Sequence, residues 1–357
     1  MSSDAAFMGA ALSLAQRAWG RTAPNPAVGA VIVRDGVVVG EGWTQPPGED
    51  HAEPHALKQV ADARGTTMYV TLEPCCHYGR TPPCTDAILR AGVARVVVGT
   101  VDPFPLVAGQ GIARLREAGV AVEVGVREAE CRRQILGFLR AVTVGLPEVT
   151  LKAALTLDGR IASASGESRW ITGPAAREAS WRLRDTHDAV LVGIETVLAD
   201  DPALTTRSRG GRDAVPVVVD TSLRIPASAR LWTAGRPPLV YCADDAPQRD
   251  LPGMVVRVPR GDGGVDIGAV LRDLARRGMH RVLAEGGGRI HRSLLDGGSV
   301  DRMELFVNAR VLAGGPGFVG GPGFGLAEAP AFRFVAGSPV GDDFHLVLEK
   351  TPCSPAS

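Results

Sequence analysis

The chain has 357 residues, enough for about two domains at roughly 100–200 residues each. Apolar residues make up 45% and charged residues 22%, which excludes a disordered, coiled-coil or collagen-like chain. Lysine plus arginine and aspartate plus glutamate both number 39, so the formal charge is zero and binding of nucleic acid or anionic lipid by charge alone is not expected.

No run of 18 apolar residues occurs, so no bilayer span is expected. Met1-Ser2-Ser3-Asp4 lacks a basic region followed by an apolar one; no signal peptide is expected, and a cytoplasmic location is. Six cysteines are too few for a disulfide scaffold, yet Cys75, Cys76 and Cys84 lie close together. Such clustering points to metal binding or catalysis. Cys131, Cys242 and Cys353 read as ordinary thiols. The basic residues are almost all arginine, so Lys152, flanked by apolar residues, stands out.

Residues 5–19 carry apolar side chains at helical spacing. Val28 to Val33, the turn Arg34-Asp35-Gly36 and Val37-Val38-Val39 predict a hairpin. A helix is expected from Glu53 to Ala63, a strand from Met68 to Leu72, and a helix from Thr85 to Ala91 closed by Gly92. A strand at Val96 to Val98, a helix from Ile112 to Ala118, a strand from Val120 to Val124 and a long helix from Arg127 to Val142 follow. The first 146 residues thus read as an α/β layered domain, 1–146. Gly145-Leu146-Pro147 breaks the pattern, and a second domain is placed at 147–351. Its expected strands are Val149 to Leu155, Ala189 to Val192, Val215 to Val219, Leu239 to Cys242, Arg281 to Ala284 and Met303 to Val307. Its expected helices are Ala175 to Arg184, Ile267 to Arg277 and one opening at Gly287. Gly261 to Gly264 and Gly314 to Gly325 read as loops.

His51-Ala52-Glu53 precedes Pro74-Cys75 by one helix and one strand. One imidazole and two thiolates suit Zn²⁺ and leave a fourth position for water. At a catalytic zinc that water becomes acidic enough to supply hydroxide near neutral pH. Glu53, two residues past the histidine, can sit beside the water without ligating and carry its proton to a ring nitrogen and a leaving amine. The nucleobase-deaminase signature is H-x-E followed by P-C-x-x-C; here the second thiolate is displaced to Cys84. His51, Cys75 and Cys84 are the candidate ligands. A closed structural site with His77 or Cys76 as fourth ligand is the competing reading, and His55, one helical turn on, could approach the same metal. In the second half no G-x-G-x-x-G follows the first strand, so a Rossmann site has no support. Gly286-Gly287-Gly288-Arg289 at a helix start can hold a phosphate on backbone N–H groups.

Taken together, His51-Ala52-Glu53, Thr71-Leu72-Glu73-Pro74-Cys75 and His77-Tyr78-Gly79-Arg80-Thr81-Pro82-Pro83-Cys84 resemble the deaminase half of the bifunctional RibD family of riboflavin biosynthesis. Asn25-Pro26, Val28-Gly29, Asp102-Pro103 and Val107-Ala108-Gly109 resemble it too. Leu151-Lys152-Ala153-Ala154, Leu157-Asp158-Gly159-Arg160, Ser165 to Thr172, Thr196 to Thr205, Arg207 and Glu285-Gly286-Gly287 resemble the reductase half. The resemblance covers about residues 5–350. It implies a cytidine-deaminase-like three-layer domain followed by a dihydrofolate-reductase-like α/β domain. It implies Zn²⁺ and NADPH as cofactors, and a phosphorylated pyrimidine as a small-molecule substrate. The implied reactions are hydrolytic deamination of 2,5-diamino-6-ribosylamino-4(3H)-pyrimidinone 5′-phosphate and reduction of the ribosyl chain to the ribityl chain. A homo-oligomer is implied, with neither nucleic acid nor membrane as partner. A reductase-only homologue is the alternative.

Residue by residue, the resemblance puts Ser168, Arg184, Leu204, Arg207 and Glu285 at the reductase substrate. It puts Ala154, Trp170, Thr196, Asp200, Ser222 and the turn from Gly287 at NADPH. Lys152 and Glu285 would polarise or protonate the sugar, Arg184 and Arg207 would grip its phosphate, and Trp170 would cover a cofactor ring. The competing role for Lys152 is a salt bridge to Asp158 or Asp201. On the deaminase side Arg80 and Thr81 would bind phosphate, His77 a ring or ribose oxygen, and Asn25 the pyrimidine edge. The chain departs from the family pattern at Pro54, at Cys76 in place of serine and at Phe104 in place of asparagine.

Overall fold

A computed structural model of the protein describes residues 3–79, 81–104 and 107–351; Arg80 and Cys353 lie outside them. The chain divides into two compact units, Met1–Leu146 and Pro147–Ser357.

The first unit is one sheet between two layers of helices. Its strands are β1 (Gly29–Arg34), β2 (Val37–Trp43), β3 (Thr67–Leu72), β4 (Arg95–Thr100) and β5 (Ala121–Val124). They lie in the order β2-β1-β3-β4-β5. β1 runs antiparallel to β2 and β3, whereas β3, β4 and β5 are parallel. Alternating side chains on a strand face opposite ways, and here each face has its own core. Ala30, Ile32, Met68, Val70, Val96 and Val98 pack with Ala52, Ala56, Ile88, Ile112 and Leu115 from α2 (Ala52–Leu57), α3 (Cys84–Ala91) and α4 (Gln110–Glu117), counting α1 as Ser3–Ala15. Val31, Val33, Tyr69 and Val97 pack on the other side with Met8, Leu12 and Leu14 of α1 and with Cys131 of α5 (Glu128–Gln134).

The expected helix from Glu53 to Ala63 stops at Leu57, because the Glu41 backbone N–H and carbonyl engage the Gln59 side chain and hold the following segment against β2. The long helix expected from Arg127 to Val142 is two helices. α5 ends at Gln134, Ile135 takes φ −107° and ψ 20°, and α6 (Leu136–Val144) resumes.

The second unit is a nine-stranded sheet. Its strands are β6 (Glu148–Thr156), β7 (Ala189–Gly193), β8 (Val215–Val219), β9 (Leu239–Ala243), β10 (Met254–Val258), β13 (Arg281–Ala284), β14 (Arg302–Asn308), β15 (Phe332–Val340) and β16 (Asp343–Lys350); a separate hairpin pairs β11 (Arg260–Gly261) with β12 (Gly264–Val265). The order is β10-β9-β8-β7-β13-β6-β14-β16-β15. All neighbours are parallel up to β14, and β16 and β15 close the sheet antiparallel. The parallel strands are near-continuous apolar runs, as strands covered on both faces must be. The helices are α7 (Pro174–Asp185), α8 (Ile194–Asp200), α9 (Ile267–Arg276) and α10 (Gly288–Asp296). β10, β15, β16, the small hairpin and α8 go beyond the elements expected from sequence. Among the described residues no helix is long and apolar enough to cross a membrane.

Candidate active sites

In the first unit the two ends of the loop after β3 meet the start of α2. His51 is the residue before the first helical turn, in extended conformation, so its ring projects beside the helix start. Cys75 follows β3, and Cys84 is the first residue of α3. The Cys75 Sγ lies 3.6 Å and the Cys84 Sγ 3.3 Å from His51 Nδ1. The three donor atoms all lie within 4.8 Å of one another, and no other group of His, Cys, Asp or Glu among the described residues converges in this way. Ligands on a tetrahedral zinc, with bonds of about 2.0 Å to nitrogen and 2.3 Å to sulfur, stand about 3.5 Å apart. The donor set and its spacing therefore fit zinc.

The Cys84 backbone N–H donates to Cys75 Sγ at 3.3 Å. The Cys84 thiol, then the His51 ring and that N–H, hold Cys75 well below the ordinary thiol range despite burial. Glu53 sits in the first turn of α2, 4% exposed. Burial pushes its carboxyl up to about 7, and the charge of Cys75 adds to the push. It faces the Cys84 thiol without joining the ligand group.

The competing ligands go elsewhere. His55 Nδ1 accepts the Trp43 backbone N–H at 3.3 Å, and its ring packs edge-on against Trp43. Cys76 and His77 are outside the convergent group. The His77 ring lies 6.3 Å from the Phe104 ring, and its buried Nδ1 has no hydrogen-bond partner among the described residues. Asn25 and Thr81 are half-buried.

In the second unit three charged side chains converge. Lys152 lies on β6, one strand from β13, and Glu285 follows directly after β13. Arg184 is in the last turn of α7. Arg184 donates from Nε and Nη2 to the two Glu285 oxygens at 2.6 and 2.8 Å, and from Nη1 to the Thr205 carbonyl at 2.7 Å. Lys152 Nζ is 3.8 Å from Glu285 Oε2. Burial pushes Glu285 up, but Arg184 and Lys152 together outweigh it and hold the carboxyl below its usual range. Burial also pulls the Lys152 ammonium down, against the attraction of Glu285.

One reading is corrected here. The partner of Lys152 is Glu285, not Asp158 or Asp201, because β13 lies beside β6 in the sheet. The Arg184 guanidinium is buried, with hydrogen bonds to Glu285 and Thr205. Arg207 has the opposite character. It is exposed and stacks 4.6 Å over the Trp181 ring; partial burial of its guanidinium, and then Arg184 and Arg230 nearby, pull it below its ordinary value. A cation surrounded by cations suits an anionic ligand.

The expected cofactor residues are spread over the same unit. Gly287, at φ 77°, precedes α10. A side chain on Gly286 would meet Thr196 Oγ1 at 2.8 Å, so bare backbone and the threonine hydroxyl form one small polar cradle at a helix start. That cradle fits a cofactor phosphate. Trp170 is 57% exposed beneath Arg177, 4.5 Å away, as a ring available for stacking. Arg169 donates to Asp200 Oδ1 at 2.9 Å. Ala154 and Ser168 are half-buried, Leu204 is buried, and Ser222 is exposed on the turn after β8.

The fold and these sites define a two-part enzyme: a zinc-type deaminase domain followed by a reductase domain. The family model for the cytidine and deoxycytidylate deaminase zinc-binding region matches residues 1–100, and that for the RibD C-terminal domain matches residues 147–346. The riboflavin biosynthesis protein RibD of Escherichia coli K12 is 40% identical over 96% of this chain and 99% of its own length. That of Aquifex aeolicus is 41% identical over 87% of this chain and 88% of its own. The crystal structure of a diaminohydroxyphosphoribosylaminopyrimidine deaminase/5-amino-6-(5-phosphoribosylamino)uracil reductase from Thermotoga maritima matches with TM-score 0.88 and 35% identity, covering 98% of this chain and 99% of that one. The chain belongs to the RibD family: it is a bifunctional deaminase and reductase of riboflavin biosynthesis, using Zn²⁺ and NADPH. Relatives that match through both halves argue against a reductase-only chain.

Proposed function

We propose that residues 1–146 deaminate 2,5-diamino-6-ribosylamino-4(3H)-pyrimidinone 5′-phosphate, and that residues 147–351 reduce the ribosyl chain of the product to give 5-amino-6-(5-phosphoribitylamino)uracil. The observation that carries this is the convergence of His51, Cys75 and Cys84 within 4.8 Å, with Glu53 buried beside them. A zinc ion on those three residues would supply Lewis-acid activation of water. Glu53 is the proton carrier: a buried carboxyl pushed up to about 7 can both take and return a proton near neutral pH. His77 and Asn25 are the groups that hold the pyrimidine, with Arg80 and Thr81 at its phosphate.

In the reductase half NADPH supplies the hydride. Thr196, Gly287, Ala154, Trp170, Asp200 and Ser222 are its proposed contacts. Lys152, held beside Glu285 with its ammonium pulled down by burial, is placed to give a proton to the opening sugar. Glu285 keeps that amine oriented. Arg207, together with Ser168 and Leu204, forms the substrate end, and Arg207 takes the phosphate. Balanced formal charge supports a small-molecule substrate over nucleic acid. We also propose self-association: β15, at the open edge of the sheet, leaves Phe334 71% exposed and adjacent β16 leaves Phe344 44% exposed, surface that a second copy would cover.

The test is a two-stage assay. Ammonia release from the diaminopyrimidine should proceed without NADPH, and NADPH oxidation should then require the deaminated product. Ammonia release that depends on NADPH, or none at all, would overturn the assignment.

A further inference from the structure

Glu73 is a carboxylate only 3% exposed, two residues before Cys75, and among the described residues it joins neither the ligand group nor an ion pair. Its oxygens are instead taken up by backbone. Oε2 accepts the N–H groups of Asp102 at 3.1 Å and Gly109 at 2.9 Å, and Oε1 accepts that of Ile112 at 3.1 Å. A buried carboxyl group is tolerated only where donors satisfy its oxygens, and here one N–H just after β4 and two at the start of α4 do so. The carboxylate thus holds both ends of the segment between β4 and α4.

Two further contacts join that segment to the metal-type site. Gly111 packs so closely that a side chain there would meet the Pro74 carbonyl at 2.0 Å, one residue before Cys75. Asp102 Oδ1 accepts the Phe104 N–H at 2.8 Å, and the Phe104 ring then lies 6.3 Å from His77, on the loop between the two cysteines.

We propose that Glu73 is a positioning residue of the deaminase. It locks the start of α4 and the Asp102–Phe104 turn onto the Pro74–Cys75 segment, and so fixes the wall that faces His77. It rests on the deaminase assignment above, acts through Asp102 and Phe104, and touches no reacting atom.

Only a carboxylate supplies acceptors to all three donors. In Glu73→Gln the amide NH₂ must face one backbone N–H, and that bond is lost. A misplacement of about 1 Å in a positioning wall costs on the order of 100-fold in rate. In full-length Glu73→Gln, zinc should stay near that of the unchanged chain, and deaminase kcat/KM should fall about 10–100-fold with a rise in KM. Hydrogen exchange at Asp102, Gly109 and Ile112 should speed up, while NADPH oxidation with the deaminated product stays unchanged. Glu73→Asp, which keeps the charge, should recover part of the loss. Unchanged deaminase kinetics and exchange in Glu73→Gln would overturn the proposal, as would zinc loss in proportion to activity. If Glu73→Gln does not fold, Phe104→Ala decides: a raised deaminase KM with full zinc supports the proposal, and an unchanged KM overturns it. Absence of ammonia release from the unaltered protein would instead refute the deaminase assignment.

Discussion

Arg184 closes two hydrogen bonds on Glu285, at 2.6 and 2.8 Å, and leaves Lys152 3.8 Å from the same carboxylate. The arginine comes from a helix, the glutamate from the end of one strand and the lysine from the middle of its neighbour. Removing one partner of such a buried pair strands the other charge, at a cost of about 3–5 kcal/mol. Arg184→Ala should therefore lower the thermal midpoint of the reductase unit and abolish NADPH oxidation, while ammonia release persists. Arg184→Lys should not restore it, since a single ammonium cannot bridge both oxygens as the guanidinium fork does. Wild-type stability and kinetics in Arg184→Ala, by calorimetry and NADPH consumption, would contradict this.

Lys152→Met keeps the length of the side chain and removes the ammonium. Loss of a positioned acid typically costs roughly 100–10,000-fold. The reductase kcat should drop by that order with deamination untouched. A change confined to KM would show that Lys152 only binds.

How much of this was legible in the sequence depended on where the determinants lie. His51, Glu53, Cys75 and Cys84 sit in short segments whose chemistry and spacing are readable; the structure brings His51, Cys75 and Cys84 together and sets Glu53 against the Cys84 thiol. The Lys152 partner depends on β13 lying beside β6, a neighbour relation between strands more than a hundred residues apart in the chain that no local pattern encodes. Arg184 shows its burial only once α7 is docked. β15 and β16 escaped notice because β15, with Gly337 and Pro339, is exposed along most of its length and lacks the alternation of a half-buried strand. Ile135 continues the apolar pattern of its helix, so the break between α5 and α6 left no signal. Glu73 has no signal of its own in the sequence, since its partners are backbone N–H groups from another loop.

The cysteines separate into distinct roles. Cys84→Ser should lose bound zinc and ammonia release together, because one of three converging donors is removed. Cys76→Ser should keep both, its thiol being outside the group. Metal analysis of the purified variants decides; zinc lost from Cys76→Ser and kept in Cys84→Ser would reverse the ligand assignment.

His187 ties stability of the second unit to pH. It is buried between α7 and β6; its Nδ1–H donates to the Leu183 carbonyl at 2.7 Å, and Nε2 accepts from the Thr150 hydroxyl at 3.0 Å. Burial, with Arg281 nearby, pushes it down to about 3 from 6.5. Between those values the unfolded chain binds more protons, so its contribution is complete above pH 6.5 and is lost as pH falls toward 3. At about pH 5 this amounts to about 2 kcal/mol, or a thermal midpoint roughly 4–8 °C lower. His187→Asn, which cannot titrate, should show a shallower dependence between those pH values. An equal slope would remove His187 as its source.

On the proposed mechanism Glu53 moves protons at a metal held by His51, Cys75 and Cys84, independently of the second unit. Glu53→Gln tests it in a single preparation by zinc content, ammonia release and NADPH oxidation on the deaminated substrate. The expected result is about one zinc per chain, no ammonia and undiminished NADPH oxidation. Ammonia release at the unaltered rate, or loss of the zinc, would contradict it.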